Sequence, residues 1–273
     1  MTERFTRGGA EVTVVDLSDR LRNETSSFEP MAHQIDYVTH EQSPALFADS
    51  LGVPAEVWPD GRMAAVERVS LSSHAGTHVD APYHYAPDAE GAPAATIDEV
   101  PLEWCFGAGV LLDFSARAVG DGISAGDVIA ELDRISHRLE PFDVVLVRTD
   151  ASKHFDSPGY ENRHAGLRAS AVEFLVEAGV KMIGIDAWGL DRPFDVMAAE
   201  AREGDVEQLW EAHFYGRKRA YCQIEKLCNL DQLPAPTGFR VFAFPINLAR
   251  ASAGWARVVA IFENPRPSAG DAG

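Results

Sequence analysis

The sequence predicts an α/β domain built on a partly parallel sheet, and three observations carry that prediction. Short apolar stretches rich in Val and Ile recur along the chain, those in its middle alternate with segments of helical spacing, and the composition is that of a soluble globular protein. With 273 residues, 46% hydrophobic and 24% charged, the chain can bury a sizeable core as one large domain or two small ones.

The first strand is expected at 12–17 (VTVVDL). Residues 41–62 and 85–100, rich in Pro, Asp, Ala and Gly, read as surface loops on either side of a histidine-rich run. A strand at 108–114 (AGVLLDF) follows, and then Ser124 stands as an N-cap before Val128, Ile129, Leu132, Ile135 and Leu139 at helical spacing. A strand at 143–149 (DVVLVRT), a helix over 167–178 (LRASAVEFLVEA) that stops at Gly179, and a strand at 181–186 (KMIGID) complete an alternation typical of parallel crossovers. Two more strands are expected at 239–246 (FRVFAFPI) and 255–262 (WARVVAIF). No internal repeat and no clear linker divides the chain, so a single domain is expected over 1–264, with a disordered Pro- and Gly-rich tail over 265–273.

Lys plus Arg is 24 against 42 for Asp plus Glu, a net charge of -18 that repels phosphate backbones and anionic lipid surfaces. No stretch approaches the roughly 18 unbroken apolar residues of a membrane span. Nucleic-acid and membrane partners are therefore excluded, and a small molecule is the expected partner. Cys105, Cys222 and Cys228 are an odd set without C-x-x-C spacing, which fits neither a disulfide framework nor a thiolate zinc site. The first residues lack the apolar core of a secretory signal, so a cytoplasmic location is expected.

Chemistry concentrates in SHAGTHVDAPYHY, where His74, His78, Asp80 and His84 fall within eleven residues. On a helix Asp80 would turn away from His74 and His78, and Gly76, Thr77, Val79 and Pro82 oppose a helix in any case. In extended chain the four donors share one side, although His74 and His84 would lie about 33 Å apart on a straight strand. A bend at Gly76 and Pro82 is needed to converge them. Imidazoles with a carboxylate and no nearby thiolate suit zinc, manganese, iron or nickel in an open, catalytic site. Downstream, His213 and Glu225 are unremarkable by spacing alone, and a lone histidine after an apolar stretch is more often packed than ligating. Asp113, Asp150 and Asp186 stand near strand ends, where they serve as site residues or as turn-formers and N-caps. Arg217, Lys218 and Arg219 read as a solvated helix end.

The run from His74 to His84 resembles the H-x-G-T-H-x-D-x-P-x-H signature of the metal-dependent cyclase family, which includes bacterial kynurenine formamidases, isatin hydrolases and cyclases of aromatic polyketide pathways. The resemblance extends to VKMIGIDA (180–187), the interval from His213 to Glu225, EKLCNLDQLP (225–234) and residues 238–262, and so spans most of the chain. It implies a swivelling β/β/α-type single domain with a central mixed, barrel-like sheet and flanking helices, assembled as a dimer or tetramer. It also implies one or two divalent ions, zinc or manganese, at the end of that sheet. His74, His78 and Asp80 would hold the first ion, with Asp80 bridging to a second completed by His213 and Glu225, and His84 would be the acid/base group. The formamidase branch is expected to carry a Trp near its amino terminus where RNETSSFEPM has only Phe28, and D-A-P-S where this chain has Asp186-Ala187-Trp188-Gly189. TIDEVPLEWC (96–105), AHFYGRKRAYCQIEKL (212–227) and ARASAGWARVVAIF (249–262) are instead similar to the branch found with aromatic polyketide synthases.

The expected activity is thus ring closure of an aromatic polyketide intermediate, aldol-type and dehydrative in one form, with Phe28, Tyr83 and Trp188 lining a flat cavity. One alternative is a metal-dependent hydrolase of the kynurenine formamidase or isatin hydrolase type, which would use the same ligands. Another is a metal-binding family member without catalysis.

Overall fold

The parallel crossovers expected from the middle of the chain form the heart of the molecule. In the computed structural model, which describes residues 1–28 and 31–264, ten strands form one mixed sheet. Its centre is four parallel strands, Phe106–Asp113, Val144–Arg148, Met182–Ile185 and Cys222–Glu225. Alternate residues feed two cores: Val145 and Val147 pack with Val128, Leu132, Val172 and Leu175 of the helices Ala125–Arg134 and Ala169–Glu177, whereas Val144 and Leu146 pack on the far face with Val79, Leu17 and Ile224. Burial on both faces is why these strands read as continuous apolar runs.

Antiparallel strands extend the centre both ways. Phe239–Phe242, Val259–Asn264, Ala10–Asp16 and Thr2–Arg7 follow in order on one side, and His78–Asp80 and Ala253–Trp255 on the other. Gly109 faces Phe239 across the ladder, where a Cβ would stand 2.0 Å from the phenyl ring, so only glycine fits. The stretch expected as one strand at 255–262 divides, because Trp255 belongs to the last strand of the order and Val259 to the third. Seven strand spacings would hold those two strands about 33 Å apart in a flat sheet, yet four residue steps reach only about 14 Å. The sheet therefore curls on itself, which gives it its barrel-like character.

Both expected helices form, and each ends by a left-handed residue. Gly179 (φ 97) closes the second, with Val180 N–H donating to the Leu175 carbonyl. Ser136 (φ 54) closes the first at Arg134, short of Leu139, through His137 N–H to the Leu132 carbonyl. A serine in that role gives no stop signal in the sequence. The loop expected over 41–62 is corrected, since it contains a helix, Ser43–Leu51, with Pro44 in its first turn and Gly52 (φ 64) at its end. Gln34–Val38 and Val66–Ser70, which bracket it in the chain, pair antiparallel. The expected tail at 265–273 lies outside the described residues. Among the described residues no helix is long and apolar enough to cross a membrane.

Candidate metal centre

Three local devices gather the donors of the histidine-rich run. Gly76 (φ 61) turns the chain after His74, and a Cβ there would meet the Leu21 side chain at 2.7 Å. His78–Asp80 is a strand, so residues 78 and 80 share a face. Pro82 opens a single helical turn, Pro82–Tyr85, which sets His84 one turn beyond Asp80. The continuous extended run expected from sequence is corrected in that last step: proline does not merely bend the chain but presets its φ for a helix.

Glu225 arrives through strand register. It pairs directly with His78, and Gln223 with Asp80, so the glutamate projects on the same face as both donors. His213 stands on the short helix Glu211–Tyr215. His78, Asp80, His213 and Glu225 are buried, while His74 and His84 keep about a quarter to a fifth of their side chains open, at 26% and 21%.

Asp80 is the hub. Its Oδ1 lies 2.9 Å from His74 Nδ1 and 3.1 Å from His78 Nε2, and its Oδ2 lies 4.0 Å from both His84 Nε2 and His213 Nε2. Glu225 comes within 3.7 Å of His78 Nε2 through Oε2 and 3.5 Å of His213 Nε2 through Oε1. His78 Nε2 and both Asp80 oxygens are nonetheless buried without a hydrogen bond. Ligands about 2.1 Å from a common ion stand roughly 3 to 3.5 Å apart, so the atoms around Asp80 Oδ1, at 2.9 and 3.1 Å, fit a cation, whereas those around Oδ2, at 4.0 Å, stand wider. Two groups of donors, His74–His78–Asp80 and Asp80–His84–His213, each lie within 4.8 Å of one another and could hold a metal ion. The first is the trio expected from the motif. In the second His84 stands beside His213, and Glu225 adjoins it.

The outer nitrogens of the imidazoles are held. His74 Nε2 contacts Ser252 Oγ at 3.0 Å, His78 Nδ1 contacts the Gly76 carbonyl at 2.8 Å, and His213 Nδ1 contacts Asp191 Oδ2 at 2.5 Å. Such partners turn the opposite nitrogen inward. His84 is different: among the described residues its ring has no hydrogen-bond partner and is wedged between His74 (4.2 Å) and Trp210 (5.6 Å). Burial, with His74, His213 and His78 nearby and only Asp80 opposing, pushes its imidazole down to about 4. Burial alone would raise the Asp80 carboxyl, but the His78 and His84 imidazoles hold it well below the usual carboxylate range. Burial, and then Asp80, raises Glu225.

The cluster floors a cavity of about 520 Å³ whose walls include Trp188, Phe194, Met197 and Trp210. Trp188 lines the cavity. Tyr83 is corrected: it is exposed and absent from the cavity wall, because it lies on the flank of the helical turn that carries His84 inward. The side chain of Phe28 lies outside the described residues. Phe194, Met197, Trp210, Asp191 and Ser252 were not anticipated, since each looks like an ordinary core or turn residue in sequence. Asp113 and Asp150 pair with Arg148, and Asp186, raised to about 6 by burial, accepts from the Thr149 and Asp150 amides, so all three are structural.

An α/β fold that aims imidazoles and carboxylates at common points beneath an apolar cavity defines an enzyme whose His/Asp groups could hold a metal. The family model for Cyclase matches residues 15–192, and the chain belongs to that family. It is 30% identical over 195 residues to a kynurenine formamidase of Delftia acidovorans, covering 71% of this chain and 78% of that one. A kynurenine formamidase of Paracidovorax citrulli is 28% identical over 197 residues, with the same coverage of 71% and 78%. Isatin hydrolase A from Labrenzia aggregata shares the fold with a TM-score of 0.70 at 24% identity, over 92% of this chain and 94% of that one.

Proposed function

We propose that this enzyme is a metal-dependent hydrolase that opens the carbonyl–nitrogen bond of an aromatic amide or lactam. The observation that carries the reading is the orphaned donor cluster around Asp80, set beside an unheld His84 under an aromatic cavity. Resemblance to kynurenine formamidases favours hydrolysis over the ring closure expected from sequence. In this reading His74, His78 and Asp80, with His213 and Glu225, hold one or two divalent ions, zinc or manganese. Such an ion supplies Lewis-acid polarisation and an acidified water. His84, neutral at physiological pH, takes a proton as the carbon–oxygen bond forms and returns it to the nitrogen as the carbon–nitrogen bond breaks. Trp188, Phe194 and Trp210 hold the ring and exclude water. Residues 1–264 form the catalytic unit of a cytoplasmic homo-oligomer.

Aldol closure of a polyketide is the second reading, favoured by the volume of the cavity: about 520 Å³ with Trp188 and Trp210 in its lining is room enough for a fused ring system. There His84 would remove the proton between two carbonyls, and a carbon–carbon bond would form with loss of water. The metal-loaded protein is to be incubated with N-formylkynurenine, isatin and a tricyclic polyketide ketoester. Turnover of either of the first two supports hydrolysis. Turnover of the third alone replaces it with ring closure.

A further inference from the structure

We propose that Asp191 is a positioning residue that locks His213 with its proton on Nδ1, so that the Nε2 lone pair faces Asp80 and Glu225. The inference rests on His213 being a ligand in the functional reading above. Asp191 is buried in the wall of the cavity, and three donors from one turn converge on it. Its Oδ1 accepts from Ala212 N–H at 2.7 Å, and its Oδ2 accepts from His213 N–H at 3.1 Å and from His213 Nδ1 at 2.5 Å. All three partners are donors only if Nδ1 carries hydrogen, and a carboxylate is the side chain that accepts from all of them and donates to none.

Other contacts keep the ring from turning over. The Trp210 indole stacks on His213 at 4.6 Å and 17°, and Tyr85 meets it edge-on at 5.4 Å. Trp210 itself has φ 56, a left-handed backbone that a bulky residue adopts only when its surroundings impose it. Leu190, which precedes Asp191, completes the arrangement, since its N–H donates to Glu225 Oε1 at 3.1 Å. Adjacent residues of one loop thus orient both downstream donors. The outer partners of His74 and His78 are a hydroxyl and a carbonyl, so His213 is the ring held by a full charge.

The test uses histidine-labelled, metal-free protein at about pH 9, where imidazole is neutral, and reads the ring nitrogens by long-range proton–nitrogen correlation. The His213 signals are assigned by their loss in His213→Gln. A protonated Nδ1 and bare Nε2 are expected; the reverse tautomer, or averaging between the two, overturns the proposal without any variant of Asp191. In Asp191→Asn one amide hydrogen must face a donor or His213 Nδ1, so the tautomer should reverse or average, and manganese affinity measured by spin resonance should fall about 10- to 100-fold. Asp191→Glu, which keeps an acceptor-only group, should recover part of both. Unchanged tautomer and manganese affinity in a folded Asp191→Asn would overturn the assignment. Because neither readout uses substrate, failure to turn over amide or lactam substrates would remove the functional reading and leave this one standing.

Discussion

Removing Asp80 in two stages separates its two oxygens. Oδ1 faces His74 and His78, and Oδ2 faces His84 and His213, so each oxygen serves one donor group. Zinc in a four-ligand peptide site binds with about 10 to 16 kcal/mol, or about 3 kcal/mol per ligand, which is roughly 10²-fold in affinity. Asp80→Asn keeps one oxygen and replaces the other with an amide that cannot bind a cation, so metal affinity should fall about 10²-fold. Asp80→Ala removes both, and the loss should approach about 10⁴-fold. Equilibrium dialysis against graded zinc and manganese, with bound metal counted by mass spectrometry, reads both steps. Melting of the metal-free variants checks the fold, and His137→Ala, whose ring pairs with Asp143 away from the site, is the control. Full occupancy of Asp80→Ala near the wild-type dissociation constant would refute the hub assignment, whatever happens to activity.

His84→Ala should keep the ion held by His74, His78 and Asp80 and lose about 10²- to 10⁴-fold in turnover, the usual share of a general acid/base, as steady-state kinetics with metal analysis of the same sample will show. Trp188→Leu should raise KM for ring substrates about 10-fold while changing the turnover of a saturated enzyme less, because one wall of the cavity is lost while the indole's ring contacts are to Phe194 and Lys226 rather than to His84. His164 gives a stability signature independent of metal: burial pushes its imidazole down to about 4, against two carbonyl contacts at 3.2 Å. A depressed folded value favours the neutral ring, so its contribution, about 3 kcal/mol, is full above the unfolded value near 6.5 and is lost as pH falls from there through about 4. The melting temperature should therefore drop between pH 7 and pH 5, and His164→Gln should flatten that part of the profile.

Much of the centre was legible because His74, His78, Asp80 and His84 are local in sequence and only a bent chain reconciles their spacing. The detail that escaped was the form of the bend, since Pro82 can open a helical turn as readily as it kinks a strand. Glu225 faces His78 only through the pairing of strands far apart in the chain, and nothing in CQIEKL announces that partner. His213 needed a family resemblance for the same reason. Asp191 and Trp210 were invisible, because a carboxylate that holds a helix turn and an indole in left-handed backbone have no sequence pattern of their own. Among the elements, the buried parallel strands were plain from unbroken apolar runs. Thr2–Arg7 (TERFTR) was not, since it is exposed on both faces and shows no alternation.

The alignment of Glu225 with His78 makes catalytic competence a by-product of sheet assembly. Slipping the Cys222–Glu225 strand by one residue would turn its carboxylate to the opposite side and bring Ile224 to the centre in its place. A misassembled molecule would thus lack a carboxylate at its centre and be inert rather than indiscriminate.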